Sequence, residues 1–149
     1  MSLFTALEIA SSGMSAQRTR MNVASMNLAN KSTTRTAEGG PYKRRDVVLE
    51  AVPIDERGFS RNLDAAIQRG DGKAFGVQVQ QISQDQGEGQ LTYDPGHPDA
   101  DADGYVRYPD VSAVKEMVNM MGSARAYEAG ISVMKTVKQM AERAMRIGK

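Results

Sequence analysis

Leu3, Leu7, Ala10, Met14, Gln17, Met21, Ala24 and Leu28 follow one another in steps of four and three. That spacing keeps side chains on one face of a helix, with Gln17 as its single polar defect. Ser2 is a fitting N-cap, and Asn30 a fitting residue just past the C-terminus, because Asn tolerates a left-handed backbone. A helix over Leu3–Ala29 would be about 40 Å long at ~1.5 Å per residue. Its far side carries Glu8, Ser11, Ser15, Arg18 and Asn22, polar enough to face water. The other end of the chain repeats the pattern with Met117, Met120, Ala124, Tyr127, Ile131, Met134, Lys138, Ala141 and Met145, of which Lys138 is the polar exception. Asp110, after Pro109, is the expected N-cap there, and Gly148 follows Arg143 and Arg146 as at a helix exit. From Val111 to Ile147 this second helix would reach about 55 Å.

Both stripes are narrow and built from small or flexible residues. Gly122 and Gly130 each cost about 1 kcal/mol against alanine in a helix interior, a cost that makes sense where another backbone approaches. Two readings follow: the helices pair within one monomer as an antiparallel hairpin, or they pair and also bury further faces in a polymer. Val114, Val118, Met121, Val133 and Val137 widen the apolar surface beyond a two-helix seam and favour the polymer.

Between the helices the pattern changes. Residues 31–46 are polar, with a turn at Gly39-Gly40-Pro41 and a basic cluster, Lys43-Arg44-Arg45, that reads as a solvated charge run. Val47, Val48, Leu49, Val52 and Ile54 form a candidate strand that Pro53 confines to an edge or an end. Phe75, Val77 and Val79 alternate with polar neighbours as in a half-buried strand, and Leu91–Tyr93 and Tyr105–Tyr108 are shorter candidates. A helical turn around Leu63–Ile67 and a turn at Gly70-Asp71-Gly72 are also expected. The fold class is therefore α+β: two long terminal helices in an extended coiled-coil-like domain, and a small β-rich middle domain. The boundaries are 1–30, 31–110 and 111–149, with 59–73 as a variable insertion.

Composition sharpens the division. All ten methionines lie in the two ends and all five prolines lie between them, as suits helix-forming ends and a turn-rich middle. Nineteen basic against eighteen acidic residues leave a net charge of +1, so no broad field points at nucleic acid. Three Phe and no Trp in 149 residues argue against a large self-contained core, and the absence of Cys excludes disulfides and thiolate chemistry. No run approaches the ~18 apolar residues of a membrane span. Ser2–Ala10 lacks the basic start of a secretory signal, so export would have to proceed without one.

Candidate chemistry is sparse. Asp99-Ala100-Asp101-Ala102-Asp103-Gly104 matches the start of a calcium loop, but Asp110 stands where a glutamate is wanted and Pro95 and Pro98 rule out the entering helix. The competing reading is a turn whose carboxylates bond their own backbone. His97 is the only histidine and reads as a turn residue; Glu88 and Asp94 lack a cleft to tune them. Catalytic, cofactor and metal sites are not expected. Asn27 and Asn30 are the polar residues that stand out, expected to stop the first helix and order the Thr33 segment. Arg125 and Glu128 can bridge each other or a neighbour. A soluble coiled-coil adaptor or chaperone remains an alternative, as does a calcium-binding module.

The run Asn22–Asn30, followed by Thr33-Thr34-Arg35-Thr36, resembles the N-terminal signature of bacterial flagellar axial proteins. Gly39–Tyr42, Tyr93-Asp94-Pro95, His97–Asp101, Gly104–Val106, Glu116–Met120 and Ser123–Ala129 are similar, in the same order, to the basal-body rod proteins among them; residues 59–73 are longer than that pattern allows. The resemblance implies a structural subunit of the rod that crosses the periplasm, exported by the flagellar type III apparatus without a cleaved signal peptide. It implies as partners further copies of the chain, the rod proteins FlgB, FlgF and FlgG, and the base adaptor FliE. The expected subunit-interface residues are Leu3, Leu7, Met14, Met21, Ala24, Asn27, Leu28 and Asn30, with Met117, Met120, Ala124, Tyr127, Ile131, Met134, Ala141 and Met145.

Overall fold

A computed structural model describes residues 3–54 and 74–147. Its elements are α1 (Leu3–Ala29), β1 (Arg45–Pro53), β2 (Phe75–Gln84), β3 (Gln90–Tyr93), β4 (Tyr105–Tyr108) and α2 (Ala113–Ile147). This is an α+β chain with long helices at both ends and a small β-containing middle. The Ser2 cap, the Leu63–Ile67 turn, the Gly70–Gly72 turn and Gly148 lie outside the described residues.

The periodic stretch Leu3–Ala29 forms one helix, and Asn30 ends it. The Asn30 backbone N–H still reaches the Met26 carbonyl at 3.1 Å, and its side-chain amide donates to the same oxygen at 2.9 Å. Thr33 then turns back, donating its N–H to the Asn30 carbonyl and its hydroxyl to Asn30 Oδ1. Helix α2 begins two residues later than the sequence suggests. Its cap is Ser112, whose Oγ accepts from the Lys115 N–H at 3.4 Å and whose carbonyl accepts from Glu116 at 3.0 Å. Asp110 instead accepts from Gln90 Nε2, so it anchors β3 and does not cap the helix.

Strands β1 and β2 pair antiparallel from Arg45↔Gln84 to Pro53↔Phe75, with an irregularity at Val48/Leu49. Pro53 sits at the strand's end, where a missing donor costs least. This two-stranded sheet lies against α1, and Gly76 is the contact that allows it. A Cβ there would stand 2.9 Å from Ser12 Oγ and 3.2 Å from Ile54. Ser12 Oγ also accepts the Val77 N–H at 3.2 Å, fastening β2 to the helix. Strands β3 and β4 make a second antiparallel pair, Gln90↔Tyr108 to Tyr93↔Tyr105.

The two helices run antiparallel: Asn27 bonds Glu116 at one end of the pair, while Met14 lies against Gly130 further along. Little apolar volume is enclosed. Among the described residues the buried hydrophobic side chains are Ala16, Val23, Ala24 and Val106, as the scarcity of aromatics requires.

Candidate functional site

On α2 the side facing α1 carries Glu116, Met120, Ser123, Tyr127, Gly130, Met134, Val137 and Ala141, all buried or half-buried, in a regular four-three step. The expected stripe shares Met120, Tyr127, Met134 and Ala141 with this seam, and Ala124 is half-buried beside it. Met117, Ile131 and Met145 are exposed, as is Lys138. The seam is turned toward polar and small residues because the helices come close there. A Cβ on Gly130 would meet Met14 Cγ at 2.5 Å, a separation that excludes a larger residue without movement. On α1, Ala24 is buried, Leu7, Met14, Met21 and Leu28 are half-buried, and Leu3 is exposed.

The seam closes on a polar joint. Asn27 is 0% exposed, yet every bonding position of its carboxamide is used. Its Oδ1 accepts the Arg45 N–H and the Tyr42 hydroxyl, each at 2.9 Å. Its Nδ2 donates to the Arg45 carbonyl at 2.7 Å and to Glu116 Oε2 at 3.2 Å. Two donors and two acceptor positions are the full capacity of the group. The amide treats Arg45 as a neighbouring strand would, so α1 is tied to the start of β1. Glu116, 2% exposed, receives Arg44 Nε on its other oxygen at 2.8 Å, and Arg44 also reaches Asp46 at 3.3 Å. One cluster thus joins α1, the connecting segment, β1 and α2.

The electrostatics follow from that geometry. Burial opposes the charged Arg44 guanidinium, but the hydrogen bond to Glu116 and the charges of Glu116 and Asp46 outweigh it and hold its pKa above the usual value. Burial pushes the Tyr42 hydroxyl above its ordinary 10.0; Arg45 pulls it down and Glu116 adds to the rise. Arg44 and Arg45 are half-buried and only Lys43 is exposed, so the cluster read as a solvated run is for the most part structural. Glu116 was overlooked in the sequence, although a charged residue seven places before Ser123 on the same face is a visible signal. Tyr42 and Arg44 carry no comparable local signal.

The joint borders a partly open cavity of about 20 Å³ lined by Arg20, Arg44, Arg45, Asp46, Glu116, Asn119 and Ser123 among others. That is room for about one water, far below the ~300 Å³ of a small-molecule site. In the aspartate turn, Asp101 Oδ1 accepts the N–H groups of Asp103 and Tyr105 at 3.0 and 2.8 Å. Asp99 accepts the Thr34 hydroxyl at 2.6 Å and faces Arg35 at 3.9 Å. These carboxylates are therefore engaged within the chain. Glu88 pairs with Arg107, whose hydrogen bond and charge hold its pKa below the usual range.

Residues 7–35 match the family model described as flagella basal body rod protein, and residues 102–147 match that of the flagellar basal body rod FlgEFG protein C-terminal region. The two matches take in most of both helices. The chain is 40% identical to the flagellar basal-body rod protein FlgC of Bacillus subtilis, over 100% of each chain. It is 39% identical to that of Borreliella burgdorferi, over 99% of this chain and 98% of the other. With the protein of the same name from Salmonella typhimurium the identity is 38%, over 99% of both. Nothing in the geometry or in these likenesses supports a soluble adaptor or a calcium module.

Proposed function

The chain belongs to the FlgC family of flagellar basal-body rod proteins, and from that premise we propose that it polymerises through its two helices into the proximal rod. It is a structural rod subunit, and its terminal helices, within 1–30 and 111–149, are the assembling element. Of the middle region, 31–110, the segment Tyr42–Arg45 braces the pair through the Asn27 joint. The observation that carries this reading is the exposed apolar surface of α2. Val114, Val118, Met121, Ile131 and Val133 remain open to solvent after the helices have paired, and among the described residues none covers them.

Exposed Leu3, Met117, Ile131 and Met145 act in direct subunit contacts on this reading. Leu7, Met14, Met21, Ala24, Leu28, Met120, Ala124, Tyr127, Met134 and Ala141 shape the pair that is presented, and Asn27 and Asn30 set its angle to the middle. The chain carries load and torque without catalysis, in the part of the rod that spans the periplasm. Its neighbours are further copies of itself, FlgB, FlgF and FlgG, and the base adaptor FliE; the flagellar export apparatus delivers it. The test is mass spectrometry of purified basal bodies, with and without the gene for this chain. Its peptides in the particle, and no complete rod in the deletion strain, are the expected result. A complete rod lacking these peptides would remove the reading.

A further inference from the structure

Resting on that reading, we propose that the first three turns of α2 receive the N-terminal tip of α1 from a second copy of the chain, with Phe4 set against Gly122. Val114, Val118 and Met121 are 72%, 63% and 55% exposed and follow a four-three step, so they form one apolar ridge. Gly122 borders that ridge. An added Cβ there meets nothing within 4 Å, so among the described residues nothing requires a glycine, in contrast to Gly130. Glycine in an exposed helix interior is unfavourable, and close approach from outside gives it a use.

The occupant follows from charge and shape. Within the first three turns Lys115 is the exposed charge beside the ridge, since Glu116 is buried in the joint; Arg125 stands one turn beyond Met121, with exposed Glu128 following it. Helix α1 contains one acidic residue, Glu8, exposed one turn after Phe4, which is itself 79% exposed. Positions four apart share a helical face. The tip therefore offers an aromatic ring and a carboxylate side by side, complementary to an apolar ridge with a glycine and a cation. The antiparallel pairing puts the α1 tip and the start of α2 at opposite ends of the same hairpin. Two different patches at opposite ends make a head-to-tail contact, the kind that extends a filament and does not close a dimer.

The natural chain has no cysteine, which makes thiol cross-linking clean. Phe4→Cys and Val118→Cys are placed singly and together in the full-length chain, and basal bodies are treated with a short bis-maleimide. The expected result is a ladder of cross-linked multimers from the double variant and none from either single variant. Cross-linking of Val118→Cys alone would mean that the ridge meets its own copy, and would overturn the pairing. An incorporated double variant without a ladder would overturn it too, while leaving the rod reading intact; absence of the wild-type chain from basal bodies would fail that reading itself. Methionine oxidation of the wild type gives a check that needs no variant. Met117 and Met121 should oxidise readily in the free chain and lose that reactivity in the rod. Equal oxidation in both states would sink the proposal even if the cysteine variants failed to assemble.

Discussion

Across the first turns of α2 the usual arrangement of polar and apolar surface is inverted. The inward side, at Glu116 and Ser123, is polar and buried; the outward side, at Val114, Val118 and Met121, is apolar and exposed. In a self-sufficient domain the two would be exchanged, since burying apolar area is the main source of stability and burying charge is costly. The difference teaches how stability is divided in this chain. Within the monomer, directional bonds at one joint fix the geometry of the helices. The apolar surface is left to contacts between chains, where it favours association only once that geometry is set.

On the stability of the free chain, the largest effect should come from Glu116→Ala. It leaves the half-buried Arg44 guanidinium with Asp46 alone and strands one Asn27 N–H, and a loss of about 3 kcal/mol is expected from breaking a buried pair on one side. Urea unfolding followed by circular dichroism checks it; a change below about 0.5 kcal/mol would mean the joint is not what orders the helices. Asn27→Ala should cost about 2 kcal/mol, because the Arg45 N–H and carbonyl both lose a buried partner.

The two helical glycines sharpen the contrast further. Gly130→Ala should destabilise by about 1 kcal/mol, since the clash with Met14 Cγ exceeds the helical gain. Gly122→Ala should stabilise the free chain by up to about 1 kcal/mol and yet impair incorporation into rods. Thermal melts and rod assembly, measured on both variants, separate an internal close approach from an external one.

Tyr42 gives a pH test of the inner side. Its folded pKa is raised, so the folded state holds the phenolic proton more tightly. Its contribution is complete below the ordinary value of 10.0 and is lost as pH rises through the folded value. Above that range the phenolate can no longer donate to Asn27 and repels Glu116. Tyr42→Phe should cost about 1 kcal/mol at neutral pH and remove this alkaline loss, which stability curves at several pH values would reveal. The smallest effect on the free chain is expected at the outer side. Val118→Glu should change stability by less than about 0.5 kcal/mol while abolishing incorporation, read as motility on soft agar.

The boundaries of α1 were legible in the sequence, down to Asn30 as its stop, because heptad spacing and capping are local. The four strands were legible for the same reason, from alternation and turn residues, but which strand pairs with which was not. The start of α2 was misplaced because Asp110 and Ser112 are both good caps; in the fold Ser112 takes that place while Asp110 accepts from Gln90. The seam of α2 was only partly legible. Met117, Ile131 and Met145 are as apolar as the residues that do face α1, and periodicity alone cannot say which of two adjacent stripes turns inward.

By itself, the sequence determined which segments are helical, where they stop, and that the chain lacks the aromatic bulk for a large core of its own. Those properties depend on neighbours a few residues away. Only the tertiary structure decided that Glu116 and not Met117 turns inward, that Asn27 grips Arg45 where it was expected to end a helix, and that Gly130 is needed inside while Gly122 is not. Each of these depends on contacts between residues far apart in the chain, such as Asn27 with Glu116 and Arg44 with Glu116. Their geometry exists only after the helices and the first strand have come together.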